Sequence, residues 1–396
     1  MNFQEELAYR FKSQADFSRT YSQLYATLFS LIAGWVESAE QDANPVATWL
    51  LEASQTRNPF DVTLLLMAGL HEAVLAKHNG TAELARFYPT AGGGRSPTDQ
   101  ELPAIFETTL LNLKEHLAYV IQTATVQTNE TARGSVWLLP LAFSHWENVT
   151  LLDLGASAGL NLISEQRRFD FYAPDSDDPL VSFGKAAEEQ MVVKATGDCA
   201  ALSRLSKPPR LPQITARYGI DLLPFPIETA ADATRLTSYI WADQPERVER
   251  LSQALAIFQN VQQSAAPVQL DAVRLPNELP AFLQTLSPDS KTPLVIYNTY
   301  ITQYFRDERA ELGEIIRDWA AQQIRPVLWL QWEPSLGWEE KPNADEFGWC
   351  AWTADLWQNN KPAQESRSFH LGWVHPHGLQ VRFLAGLQEW ADFWNS

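Results

Sequence analysis

The chain has 396 residues, 45% of them hydrophobic and 20% charged, which is ordinary globular composition with room for two or three domains. Thirty Lys and Arg against 48 Asp and Glu leave a formal charge of −18, a field that opposes nucleic-acid phosphates and anionic membranes. The chain does not open with the basic start and apolar run of a secretory signal, and no apolar segment approaches the roughly 20 residues of a bilayer span. Two cysteines, Cys199 and Cys350, are too few for a disulfide framework or a structural zinc site. A cytoplasmic protein with a small-molecule partner, and neither nucleic acid nor membrane, is the expectation; oligomeric state is left open.

From Phe3 to about Phe143 apolar residues recur at spacings of three and four, as in Leu24, Leu28, Leu31 and Trp35. That period predicts helix. Breaks fall at Asn44-Pro45, Asn58-Pro59, Tyr88–Pro97 and Leu102-Pro103, where Pro, Gly or Asn interrupts the pattern. An all-helical N-terminal domain over residues 1–145 follows.

After Trp146 short apolar or β-branched runs alternate with longer helical stretches. Strands are predicted at Val149–Leu154, Gln213–Tyr218, Val268–Ala272, Pro293–Asn298, Pro326–Gln331, Ser368–Trp373 and Leu379–Phe383. Helices are predicted at Gly159–Arg167, Glu246–Asn260, Glu278–Leu286, Arg306–Gln322 and Asp345–Gln358. Alternation of this kind argues for a parallel sheet covered on both faces. The last two strands are joined only by His375-Pro-His-Gly378, too short for a parallel crossover, so they form an antiparallel hairpin. The fold expected for residues 146–396 is a doubly wound, seven-stranded, mostly parallel α/β sheet ending in that hairpin, an arrangement that resembles class I methyltransferases. Residues 168–212, rich in Asp, Pro and Ser, read as an insertion that carries a small β-hairpin.

Gly155-Ala156-Ser157-Ala158-Gly159 lies between the first strand and the segment after it. Small residues there let a ligand approach backbone N–H groups, where a carboxylate or phosphate is favoured. With Asp153 two residues earlier, the pattern resembles the first motif of S-adenosylmethionine methyltransferases, although Ser157 stands where the middle glycine is usual. The same residues spell Gly-x-Ser-x-Gly, the nucleophile elbow of α/β-hydrolases, with Ser157 as nucleophile and His370, His375 or His377 downstream. A tight turn without a ligand is the third reading.

In open α/β sheets ligands bind beyond the carboxyl ends of the strands. Asp221, after the second strand, is the candidate for the ribose hydroxyls, since a carboxylate makes two charge-assisted bonds to a diol; Asp170 competes if the insertion follows that strand. Asp271, ending the third strand, is the candidate for the adenine amino group. The fourth strand ends at Tyr297-Asn298-Thr-Tyr300, with Asn298 on the cofactor and Tyr300 toward the methyl acceptor, or Tyr300 and Tyr304 as packing aromatics. Glu333, ending the fifth, is a candidate acceptor ligand or general base. Ten of the 15 tryptophans lie between Trp319 and Trp394, forming either an aromatic-walled pocket or ordinary core.

Gln127-Thr-Asn-Glu130 with Arg133, followed by Leu151-Leu-Asp-Leu-Gly-Ala-Ser-Ala-Gly-Leu-Asn-Leu162, closely resembles the bacterial family known as domain of unknown function 2332. So do Ser22-Gln-Leu-Tyr25, Tyr88-Pro-Thr-Ala-Gly-Gly93, Gly219-Ile-Asp221 and Ile240-Trp-Ala-Asp-Gln-Pro-Glu-Arg247. Family members usually carry glutamate at the position of Asp153 and proline at that of Gln23. The resemblance implies a helical domain ahead of a methyltransferase-like one, with no activity to transfer. It also implies that Asn129, Glu130 and Arg133 close over the ligand loop as substrate-binding residues, Arg133 pairing with a carboxylate; capping of the following helix is the alternative.

Overall fold

The computed structural model describes residues 2–38, 44–127, 130–184, 190–286, 291–305, 308–334, 342–343, 348–358 and 366–395. Two compact units divide the chain: Met1–Asn129 with Ile227–Ser252, and Glu130–Pro226 with Gln253–Ser396.

The first unit is helical. Its first four helices open on side-chain caps: Asn2 and Glu5 form a capping box before Phe3–Ser18, and Ser22 accepts the Tyr25 amide before Gln23–Glu37. Asn44 and Asn58 cap Pro45–Ser54 and Pro59–Leu75, each with proline in the first turn. The predicted breaks are thus helix starts, because proline tolerates the position whose N–H is unpaired anyway. Leu7, Phe11, Leu28, Phe29, Ile32 and Leu66 fill the core.

Three segments far apart in sequence meet in this unit. Ser22 Oγ donates to Asp243 at 2.7 Å, Tyr25 stacks on Trp241 at 5.1 Å, and the Thr90 amide donates to the Ala242 carbonyl at 2.9 Å. Buried His71 joins them, its Nδ1 2.8 Å from the Ile240 carbonyl and its Nε2 2.7 Å from Thr90 Oγ1. Burial lowers its pKa to about 4, so the ring is neutral, donating through Nδ1 and accepting from Thr90.

The second unit carries one sheet of eleven strands: β1 Asn148–Leu154, β2 Arg168–Tyr172, β3 Val181–Phe183, β4 Gln190–Gly197, β5 Gln213–Asp221, β6 Val268–Ala272, β7 Leu294–Thr299, β8 Val327–Pro334, β9 Cys350–Trp357, β10 Arg367–Val374 and β11 Gln380–Phe383. Their order is β3-β2-β4-β11-β10-β9-β8-β7-β1-β5-β6. The expected seven strands are all present, and four more correct the count. From β6 to β8 the pairings are parallel; β8, β9, β10 and β11 then alternate in direction.

Two features account for the difference. The insertion forms the antiparallel hairpin β2–β3 and then β4, which pairs in parallel with β11, so it extends the far edge of the sheet. The predicted helix Asp345–Gln358 is a strand over Cys350–Trp357, between β8 and β10. Its sequence, Cys-Ala-Trp-Thr-Ala-Asp-Leu-Trp, is buried on both faces, and such apolar runs carry no period that separates strand from buried helix. Aromatic residues and Thr decide for the strand. The predicted helix Gly159–Arg167 is a 3₁₀ segment, Leu160–Gln166, with a kink at Ile163.

One face of the sheet buries Leu152, Leu154, Ile296 and Trp329 with Leu279 and Leu283 of helix Leu279–Thr285 and Leu312 and Ile316 of helix Glu308–Ala321. Helix Ser135–Phe143 meets helix Ala385–Asn395 through the Trp390 indole, which donates to the Pro140 carbonyl at 3.1 Å. Trp329, Trp332, Trp352, Trp357, Trp373 and Trp390 are all buried, so much of the tryptophan-rich half is core. Among the described residues no helix is long and apolar enough to cross a membrane.

Ile296, central on β7 and fully buried, leaves a cavity when shortened. Ile296→Ala is expected to cost about 2–5 kcal/mol, read from the urea midpoint of the second unit.

Candidate functional site

The loop after β1 sits where the neighbours of β1 diverge, β5 leaving on one side and β7 on the other. Its backbone is tightly held. Gly155 and Ala156 both donate to the Ile220 carbonyl, at 2.8 and 3.0 Å, and the Gly159 amide donates to Ala156 at 2.7 Å. The Ser157 amide donates to Asp221 Oδ2 at 2.9 Å, while the Leu223 amide donates to Asp221 Oδ1 at 3.1 Å. These four amides are therefore already paired inside the fold. What the loop presents is a surface of small residues. Gly155 has φ +79°, and a Cβ there would fall 2.3 Å from Ile301, so neither the backbone nor the space admits a side chain.

Asp221 is thus brought to the loop by register. Asp170 is not: β2 lies second in the sheet order and β1 ninth, and Asp170 pairs with Arg168 at 2.7 Å. Asp271 sits exposed on the edge strand β6, opposite Ile220.

Asp153, at the carboxyl end of β1, is 3% exposed. Burial holds its carboxyl well above the usual range; the Tyr297 hydroxyl opposes the shift, the Asp221 carboxylate adds to it, and Arg133 acts against it. Burial likewise raises Asp221, against three backbone amides.

A second group of residues lies at the ends of β7 and β8. Glu333 is fully buried and receives four donors: Asn298 Nδ2 at 2.7 Å, the Ile301 amide at 3.1 Å, the Thr302 amide at 3.0 Å and the Thr302 hydroxyl at 2.7 Å. The Trp329 indole fixes Asn298 from its other end, at 2.7 Å to Oδ1. Burial still raises the Glu333 pKa. Glu333 and Asn298 are committed to holding the β7 turn, so they act as positioning residues.

That turn contains Tyr300, whose backbone is left-handed at φ +62° and whose amide donates to the Trp332 carbonyl at 2.8 Å. The Arg133 guanidinium lies 5.1 Å from the Tyr300 ring centroid, and its Nε donates to the Pro376 carbonyl at 2.9 Å. Burial pushes the Tyr300 hydroxyl up to about 12, and Cys350 beside it is raised by burial as well. Arg133 thereby ties the 3₁₀ turn Thr131–Gly134 to the β10–β11 turn. Glu130 reinforces the tie, accepting the Ala132 amide at 3.3 Å, with Oε2 3.4 Å from His377 Nδ1. Asn129 lies outside the described residues.

Of the sequence candidates, the loop, Asp153 and Asp221 form one group, and Asn298, Tyr300, Glu333, Glu130 and Arg133 another. The close approach of Ile301 to Gly155 joins them. Tyr297, Thr302 and Cys350 were missed as members; Tyr297 alone carried a signal, as a hydroxyl inside an otherwise apolar strand.

The second unit is an α/β domain built on a large, mostly parallel sheet, and the first unit is helical. The family described as an uncharacterized protein conserved in bacteria (DUF2332) matches residues 8–382, and the chain belongs to it. No curated protein matches the chain.

Two outcomes test the site. Glu333→Ala leaves four buried donors without an acceptor and is expected to cost about 3 kcal/mol or more, measured by urea unfolding. The raised Asp153 carboxyl binds its proton more tightly folded than unfolded, so its contribution to stability falls as pH rises above the ordinary carboxylate range. Asp153→Asn removes that loss: stability relative to the unsubstituted chain improves as pH rises above the ordinary carboxylate range. A difference that is flat with pH in paired urea titrations would show that Asp153 is ionised in the folded state.

Proposed function

We propose that the protein is an S-adenosylmethionine-dependent methyltransferase acting on a small molecule. The observation that carries this reading is the small-residue loop at the switch point of the order β6-β5-β1-β7-β8, with Asp153 beneath it and Asp221 beside it. Nucleotides bind at such points in open α/β sheets. Gly155 and Gly159 let the loop turn tightly against Ile301 and against Val268 and Leu270, Asp221 is set to accept from ribose hydroxyls, and exposed Asp271 stands further along the same edge, on the adenine side.

The bound donor supplies an electrophilic methyl group on a cationic sulfur. Asp153 and Asp221 favour a cation over the loop, whereas an oxyanion there meets two carboxyl groups; this weighs against a hydrolase that uses Ser157. Arg133 acts electrostatically on Asp153 and suits the carboxylate of an amino-acid moiety. Tyr300, held by Arg133 and by the Glu333 clamp, borders the acceptor side. In-line transfer depends chiefly on alignment, which is what the clamped turn provides. The net charge of −18 disfavours a polyanionic acceptor.

Calorimetry with S-adenosylmethionine and its demethylated product tests the reading. Both are expected to bind, and Asp221→Asn is expected to weaken both on the order of tenfold, as loss of a charge-assisted bond does. Binding of neither, with a fluorophosphonate labelling Ser157, sinks the proposal in favour of a serine hydrolase. Binding without methyl transfer to any metabolite pool points to a non-catalytic binding protein on the same scaffold.

A further inference from the structure

The turn His375–Gly378 lies on the carboxyl edge of the sheet. β8 and β10 each run antiparallel to β9, so β10 is parallel to β8 and its turn opens on the edge where β7 and β8 end. Ligands bind beyond that edge in open α/β sheets. Arg133 ties the turn to the acceptor side, donating from Nε to the Pro376 carbonyl at 2.9 Å with its guanidinium 5.1 Å from the Tyr300 ring centroid. His375 and His377 flank Pro376, their ring centroids 5.2 Å apart.

The contacts of these two imidazoles set opposite tautomers. The His377 amide donates to His375 Nδ1 at 3.2 Å, so that nitrogen carries no proton. His377 Nδ1 instead faces Glu130 Oε2 at 3.4 Å. Glu130 is 2% exposed and His377 25%, and Glu130 Oε1 is held by the Ala132 amide at 3.3 Å. A carboxylate against one ring nitrogen keeps the proton there, makes the other nitrogen the basic one and stabilises the imidazolium once it forms. A base oriented by a third group in this way is the general arrangement for proton abstraction, and its contacts tighten when substrate is bound.

We propose that His377 is the general base of the site, oriented by Glu130, and that the methyl acceptor is a small molecule whose attacking atom carries a proton, a hydroxyl or an amine. The inference rests on the methyltransferase reading. The acceptor's lone pair bonds to the methyl carbon and displaces a neutral thioether, the electron pair of the broken carbon–sulfur bond staying on sulfur. The acceptor's proton passes to His377 Nε2, and the imidazolium, paired with Glu130 and in contact with solvent, returns it to water. Glu333 is unsuited to this step because both of its oxygens already accept from the β7 turn. A carboxylate acceptor has no proton to lose at neutral pH and would meet the Glu130 charge.

Histidine side-chain nitrogen NMR of the full-length chain without donor reads the tautomer, and His377 is expected in the Nδ1–H form. With labelled S-adenosylmethionine and a metabolite pool, His377→Asn is expected to lower transfer on the order of a hundredfold while calorimetric affinity for the donor is unchanged. The transferred label is expected to survive alkali, as methyl ethers and methylamines do and methyl esters do not. An Nε2–H tautomer at His377, undiminished transfer by His377→Asn, or donor binding with no transfer to any pool overturns the base, and an alkali-labile product overturns the acceptor class. Should the variant misfold, the tautomer in the unsubstituted chain decides. Failure of the donor to bind the unsubstituted chain overturns the methyltransferase reading itself, and this step with it.

Discussion

A carboxylate taken out of water costs several kcal/mol unless donors replace its hydration, and Glu333 is replaced on both oxygens. Its four donors come from β7 and the turn after it, so the group fixes where that strand stops. The left-handed backbone of Tyr300 persists because the residues on both sides are pinned, Asn298 by Glu333 and Trp329, and Ile301 and Thr302 by Glu333. Such strain survives only where its surroundings over-determine it. Tyr300 in turn gives Arg133 a ring face, and Arg133 reaches the β10–β11 turn. A general base would need a free lone pair directed at a substrate; Glu333 has its oxygens occupied, and its role is structural.

Much of this was legible in the sequence, for reasons that differ by element. The strands from β1 to β8 that form the parallel part were readable because continuous apolar runs bounded by Pro, Gly and Asp have few alternatives. The turn His375–Gly378 declared an antiparallel pair by its length alone. The β9 strand was misread because it is buried on both faces, so period gave no signal. The destination of the insertion was equally hidden: no local pattern states that β4 will pair with β11, nearly 190 residues away. Asp170 lost its candidacy through that long-range pairing, while Asp221 kept its own because β5 adjoins β1.

The motifs that carry the family resemblance divide in two. Leu151–Leu162 and Glu130–Arg133 build the loop and the tie across the sheet edge. Ser22–Tyr25, Tyr88–Gly93 and Ile240–Arg247 instead assemble one interior junction of the helical unit, through Ser22 with Asp243, Thr90 with Ala242 and neutral His71. Ser22, Asp243, Thr90 and His71 are hydrogen-bonded there, and burial of a hydrogen-bonded junction specifies how distant segments meet. Resemblance in a motif is thus compatible with a packing role as well as a chemical one, and only the contacts separate the two.

The electrostatics of the loop separate the competing chemistries more sharply than its sequence does. Gly-x-Ser-x-Gly after a strand suits both a nucleotide site and a nucleophile elbow, and the left-handed backbone of Ser157 is compatible with either. An elbow stabilises a developing oxyanion with the amide of the residue after the serine, and the acceptors found for the amides at Gly155, Ala156, Ser157 and Gly159 do not decide that comparison. Two carboxyl groups whose proton affinity is raised, buried Asp153 and half-buried Asp221, stand against the same loop. A cationic ligand would lower the cost of ionising them, and an anion would increase it. On the proposed reading, positive charge above the loop would be favoured by Asp153 and Asp221 whether or not any group is transferred there.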